Sequence, residues 1–197
     1  MQLEVFLVSE DDFDYEAHER LRERVANKAD SALWAYKSHY EAADWYSSFS
    51  KKISWITTAT AGILTVSLIW RVLPDYALVL LAIATAALSG YKTAAKPEKK
   101  SYEHYNAGDA YHRLFIDFND FTKLQLADES YGLENMKERF WELSDRHQNL
   151  NEEMPNIASK WYERLHEEEI RSQTQTTEET KKALTGCARL KNTEDQK

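Results

Sequence analysis

The chain has 197 residues, enough for one or two domains, and a formal net charge of -8. That acidic balance argues against broad nucleic-acid binding, which needs a concentrated basic face to neutralise phosphates. A single cysteine, Cys187, excludes an intrachain disulfide framework and a cysteine-rich metal site.

The N-terminal stretch MQLEVFLVSEDDFDYE is acidic and its apolar segment is very short, so no cleavable signal peptide is expected; LEVFLV is the one piece with a strand pattern. Leu21, Val25, Ala29, Ala32, Tyr36, Tyr40 and Ala43 then recur three or four residues apart. This eleven-residue repeat suits a nearly straight helix. It predicts a helix from near Asp14 through Lys52 that runs directly into the apolar region, so residues 1–52 form an N-terminal helical segment. The small residues of the stripe allow close packing and make it an expected assembly surface. Tyr36, Tyr40, Trp45, Tyr46 and Phe49 offer rings on which a ligand base could stack, although such residues more often fill a core or anchor a membrane boundary, as expected for Trp55 and Tyr91.

Charge then disappears. Ile53 to Trp70 is about eighteen residues without a charge and Tyr76 to Tyr91 about sixteen, close to the length that marks a membrane-spanning helix. The first run, extended to Leu73, covers the hydrocarbon core of a bilayer at the usual helical rise. The second is shorter and relies on local thinning, Tyr anchoring or lysine snorkelling. Between them, Pro74 cannot continue a helix, Asp75 suits a helix cap, and Arg71 can reach headgroups from a helix end. The pattern predicts a transmembrane hairpin over 53–91, with helices at 53–73 and 76–91 and its tip at 74–75. The competing expectation, a buried hairpin in a soluble bundle, needs an apolar jacket that the singly striped helices elsewhere do not supply.

Lys51 and Lys52 precede the first span; Lys92, Lys96, Lys99 and Lys100 follow the second. The positive-inside rule makes that shared side cytoplasmic, with both termini on it. Thr57, Thr60, Leu64, Ser67 and Arg71 fall within about 80° of one another at helical periodicity. Ile56, Ile63, Val66, Ile69 and Trp70 take the opposite, lipid-suited side. The hydroxyl stripe (Thr57, Thr60, Ser67 and, at the mouth, Arg71) either packs helices together or lines a path in an oligomer, since two helices alone enclose no pore. Gly62, Ala82, Ala86 and Gly90 are assigned to close helix packing, the last three at four-residue spacing beside Thr85 and Ser89.

After the hairpin, Pro97 suits the first turn of a new helix. Tyr111, Leu114, Phe118, Phe121 and Leu124 form its stripe, ending near Gly132. Met136, Phe140, Leu143, His147, Leu150 and Met154 form a short heptad pattern that Pro155 breaks, before a last helix with Ile157, Trp161 and Leu165. Residues 92–171 are thus a second cytoplasmic helical segment, with Glu167 to Glu169 a solvated face. Residues 172–197, opening near SQTQTTEETKK, read as a flexible polar tail with a weak helix at Ala183 to Leu190. The fold class is all-α: a two-helix hairpin flanked by long helices that form a bundle.

No Gly-rich phosphate loop, nucleophile elbow or zinc-binding helix motif is present, so neither an enzyme nor a cofactor is expected. His104 and His112 flank Asp109, but such a pair does not make a metal site.

The helix ending ADWYSSFSKK, the tight hairpin, and the tract LSGYKTAAKPEKKSYEHYNAGDAYHRLF, closing on Tyr111 to Leu114, resemble the SLATT family of two-transmembrane effectors over roughly Ala17 to Gln125. The likeness rests on layout. It implies a prokaryotic inner-membrane protein of a nucleotide-signalling conflict or antiviral system, which oligomerises into pores that permeabilise the membrane. It further implies partners encoded separately (a nucleotide synthase, a SLOG sensor or a reverse transcriptase) and a nucleotide second messenger as signal. The competing class is a non-conducting, membrane-anchored helical scaffold that tethers a cytoplasmic partner.

Overall fold

A computed structural model describes residues 14–71 and 73–166. LEVFLV, Glu167 to Glu169 and the polar tail with its expected helix lie outside the described residues. Asp14 starts the first helix: its Oδ1 accepts the Ala17 N–H at 2.8 Å, satisfying one of the free donors of the first turn. From there α1 runs unbroken from Tyr15 to Trp70, 56 residues, through the polar segment and into the apolar one. Arg71 ends it in the left-handed conformation, φ 49°. The first apolar helix therefore stops at Trp70, three residues short of Leu73.

Helix α2 spans Asp75–Ala95. Pro74, not Asp75, is its N-cap, and the Pro74 carbonyl accepts the Ala77 and Leu78 N–H groups at 2.9 and 3.2 Å. A ψ of 151° sets Pro74 in an extended conformation outside the helix. Asp75 becomes the first helical residue, where its charge favours the positive end of the helix dipole. Lys96, again left-handed (φ 45°), ends α2, and Pro97 opens α3 (Pro97–Asp120) at the position where a missing N–H leaves no bond unmade.

The second stripe does not continue as one α-helix to Gly132. A π-helical turn, Phe121–Gln125, follows α3, and a 3-10 turn, Glu129–Tyr131, comes next. The wider π-turn shifts the phase of the stripe: Phe121 and Leu126 enter the core, and Leu124 is exposed. Gly132, at φ 79°, then releases the chain into α4 (Leu133–Glu153), which stops before Pro155 as expected. Contacts divide the chain into two units, residues 1–158 and 159–197. In the second, α5 is one short turn, Ser159–Tyr162, with the cations of Lys160 and Arg164 over the Trp161 ring. Among the described residues there is no strand, and the fold is all-α.

The polar part of α1 packs on α3 and α4. Leu21, Val25 and Ala32 of α1 meet Leu114, Phe118, Phe121 and Leu126, and Met136, Phe140 and Leu143 of α4. The stripe expected to be an assembly surface is therefore covered by the chain's own helices. Its periodicity marks a buried face and is silent about whose helix buries it. Beyond the bundle, the apolar halves of α1 and α2 pack on each other. No residue of α2 is buried, and Trp55, Ile63, Leu68, Ile69, Leu80 and Ile83 are exposed. Both helices are long and apolar enough to cross a membrane, and the apolar jacket that a soluble hairpin requires is missing from the described residues.

Candidate functional site

Two places concentrate unusual chemistry: the seam of the hairpin and an imidazole layer where α1, α3 and α4 meet.

Along the seam, Ser50, Ile53, Thr57, Thr60, Leu64 and Ser67 of α1 are turned away from solvent, at alternating spacings of three and four. Leu78, Leu81, Thr85, Leu88, Lys92 and Ala95 of α2 follow the same alternation. This is the seam geometry of two antiparallel helices packed like a coiled coil. Thr60 Oγ1 donates to the Thr57 carbonyl at 3.0 Å. Thr85 Oγ1 lies 2.8 Å from the Leu81 carbonyl and 3.0 Å from Thr60 Oγ1, so its one proton serves either acceptor. Ser67 is buried, and Thr57 Oγ1 is buried without a partner. The structure thus brings Thr57, Thr60 and Ser67 together as an internal seam of the single chain, while Arg71 is exposed at the tip.

The small residues lie elsewhere. Gly62, Ala82, Ala86 and Gly90 are exposed, and a Cβ added to Gly62 or Gly90 would meet no atom within 4 Å. Within the chain the three-four alternation, with leucines to interlock, provides the helix contact, and the four-residue small stripe remains on the outer surface.

At the end of the hairpin, Lys92 Nζ donates to Ser54 Oγ at 2.7 Å and pairs with Glu98 at 2.9 Å. Ser50 Oγ donates to Glu98 at 2.9 Å. The Lys92 and Ser50 hydrogen bonds hold the Glu98 carboxyl below the usual carboxylate range. Lys92 therefore ties together three helices. Of the other flanking lysines, Lys99 pairs with Glu103 at 3.4 Å, Lys100 sits over the Tyr46 ring, and Lys51, Lys52 and Lys96 are exposed.

The imidazole layer was not legible as a cluster. His39 Nδ1 and His104 Nδ1 are 3.0 Å apart and buried, one necessarily donating and the other accepting. Tyr46 stacks on His104 and Tyr111 on His39. The Tyr111 hydroxyl donates to Asn151 Oδ1 at 2.7 Å, and His147 sets its ring edge-on to Tyr111. Burial, then the neighbouring His104, lowers the pKa of His39 to about 4; burial also lowers those of His104 and His147. The available signal was His39 itself, seven residues after Ala32 on the stripe side of α1. Its partner, across 65 positions of sequence, carried none.

Asp109 faces Tyr40: the Tyr40 hydroxyl donates to it at 2.6 Å, and burial followed by that bond raises the tyrosine's pKa. His112 packs on the Tyr36 ring. Gly108 passes so close to the Tyr40 ring that an added Cβ would lie 2.7 Å from it. The aromatic residues singled out around Tyr36 to Phe49 are thus engaged with one another and with α3. No group of three or more metal-binding side chains exists among the described residues.

Compared with known proteins, the chain matches no family model, no curated protein and no solved structure.

Proposed function

We propose that the chain is a membrane effector of a prokaryotic nucleotide-signalling conflict system, similar in layout to SLATT proteins. Its hairpin crosses the inner membrane, and both termini face the cytoplasm. The observation that carries this reading is the uncovered apolar exterior of the hairpin, built as the continuation of a helix whose other half is locked into a polar bundle. Such a surface takes lipid or further copies of itself as its partner. A synthase, SLOG sensor or reverse transcriptase encoded separately, with a nucleotide messenger, fits as the source of its trigger.

In the single chain the hydroxyl seam is closed. Conduction then requires α1 and α2 to part, or to exchange partners between copies, so that Thr57, Thr60 and Ser67 face a common lumen with Arg71 at its mouth. The closed seam itself favours the second reading, a non-conducting scaffold whose hairpin is only an anchor.

Inducible expression with a membrane-potential dye separates the two. An effector depolarises the cell promptly when it is expressed together with the separately encoded protein that triggers it. Ser67→Leu weakens that response at equal membrane abundance, because leucine removes the hydroxyl and overpacks a buried position. Ile63→Leu, on the exposed face, leaves the response unchanged. An intact potential with membrane-localised protein assigns the scaffold role instead.

A further inference from the structure

Between α1 and α4 the bundle leaves a cleft of ≈ 390 Å³, lined by Arg24, Asn27, Lys28, Ser31, Phe140 and His147. Its charge is out of keeping with the chain around it. Arg24 and Lys28 stand one helical turn apart, an arrangement of like charges that disfavours a helix. In a chain of net charge -8, neither has a carboxylate within 4.0 Å among the described residues. Other cations of the bundle do: Arg20 pairs with Glu16, Lys137 with Glu134, and Arg146 with Asp117.

The cleft is also built. The Arg24 guanidinium is held over Phe140 and Trp141, 5.1 and 5.3 Å from the ring centres, which fixes the orientation of its donors. Asn27 and Ser31 supply neutral donors on the same face of α1. His147 forms part of the wall, is 4% exposed, and has an Nδ1 with no hydrogen-bond partner. A buried polar atom of that kind can be satisfied by an ordered water or by an ion that enters the cleft.

We propose that this cleft binds a soluble, phosphate-bearing anion. Arg24 and Lys28 hold the phosphoryl oxygens, Asn27 and Ser31 complete the donor set, and the bound anion supplies the partner that His147 lacks. Lipid headgroups share the chemistry but lie too far away. Ile53 is some 22 to 29 residues along the same continuous helix, about 33 to 44 Å at the helical rise. The assignment is independent of whether the hairpin conducts.

The test uses the full chain in nanodiscs, titrated with pyrophosphate at low salt. Calorimetry should give saturable binding, and the NMR signals of the His147 imidazole should move with the same saturation curve. Arg24→Gln and Lys28→Gln should each weaken binding about tenfold, the loss of one charge-assisted hydrogen bond. Arg113→Gln, an exposed cation on α3, should leave the affinity unchanged. Both cleft substitutions relieve a repulsion on the helix surface, and an unaltered melting temperature checks that the bundle stays folded. No saturable heat for the parent, a double variant that binds as well as the parent, or a His147 signal that does not move overturns the proposal. Nanodiscs rich in anionic lipid should leave the pyrophosphate affinity intact. Displacement by those lipids would overturn the soluble-ligand assignment.

Discussion

His39 and His104 share one hydrogen bond across 3.0 Å, an arrangement that cannot accommodate two charged rings. The pKa of His39, about 4, lies below the value near 6.5 of an unfolded histidine, and those of His104 and His147 are lowered in the same sense. Around His104, Glu103 favours the charged form and Lys100 opposes it; around His147, Lys28 opposes it. Below pH 6.5 the unfolded chain therefore binds protons that the folded chain refuses. The stability due to these rings is complete above pH 6.5 and is lost as pH falls from there toward 4. The melting temperature of the detergent-solubilised protein should fall between pH 6.5 and 5, before most carboxylates titrate. His39→Gln should flatten that slope; a slope equal to the parent's would place the titration elsewhere.

At the scale of elements, α1 does two jobs with one stripe type, and the difference lies in what covers it. Ala32 has no exposed surface and faces the core shared by α3 and α4. Ala32→Lys should therefore lower stability by several kcal/mol, the penalty of an unpaired buried charge. Because the contact is intrachain, the fall in melting temperature should not depend on protein concentration; a concentration-dependent loss would restore the stripe as an interface between copies. The helices themselves were legible. A helix start near Asp14, Pro97 as a first-turn residue, Pro155 as a stop and the continuity of α1 all follow from local chemistry that acts within a turn or two. What did not follow was pairing. Thr57, Thr60 and Ser67 carry the seam's spacing, but nothing local distinguishes a seam from a pore wall. Ala82, Ala86 and Gly90 carry a packing motif that the chain itself leaves unused. The π-turn after α3 needs the buried positions of Phe121 and Leu126 to explain it, and those belong to the bundle.

For the whole molecule, packing outside the apolar region constrains topology. Ser101 Oγ donates to the Ala43 carbonyl at 2.8 Å, Tyr40 donates to Asp109, and Ser50 shares Glu98 with Lys92. All of these join the polar half of α1 to α3, one before the apolar hairpin and the other after it. If the two lay on opposite sides of a membrane, every one of these bonds would be broken and the core around Val25 and Phe118 opened. The fold thus requires the two flanks to share a side, whichever side that is. The proposed topology puts the flanks in the cytoplasm because the tip offers Arg71 and Asp75, whereas six lysines border the flanks. Alkaline phosphatase, active only outside the cytoplasm, should be silent when fused after Lys197 and active when inserted after Leu73. Green fluorescent protein at the same two positions should give the opposite pattern. Activity at both positions would break the shared-side requirement and with it the hairpin. A full reversal would keep the hairpin and show that the translocation of these flanks overrides their lysines.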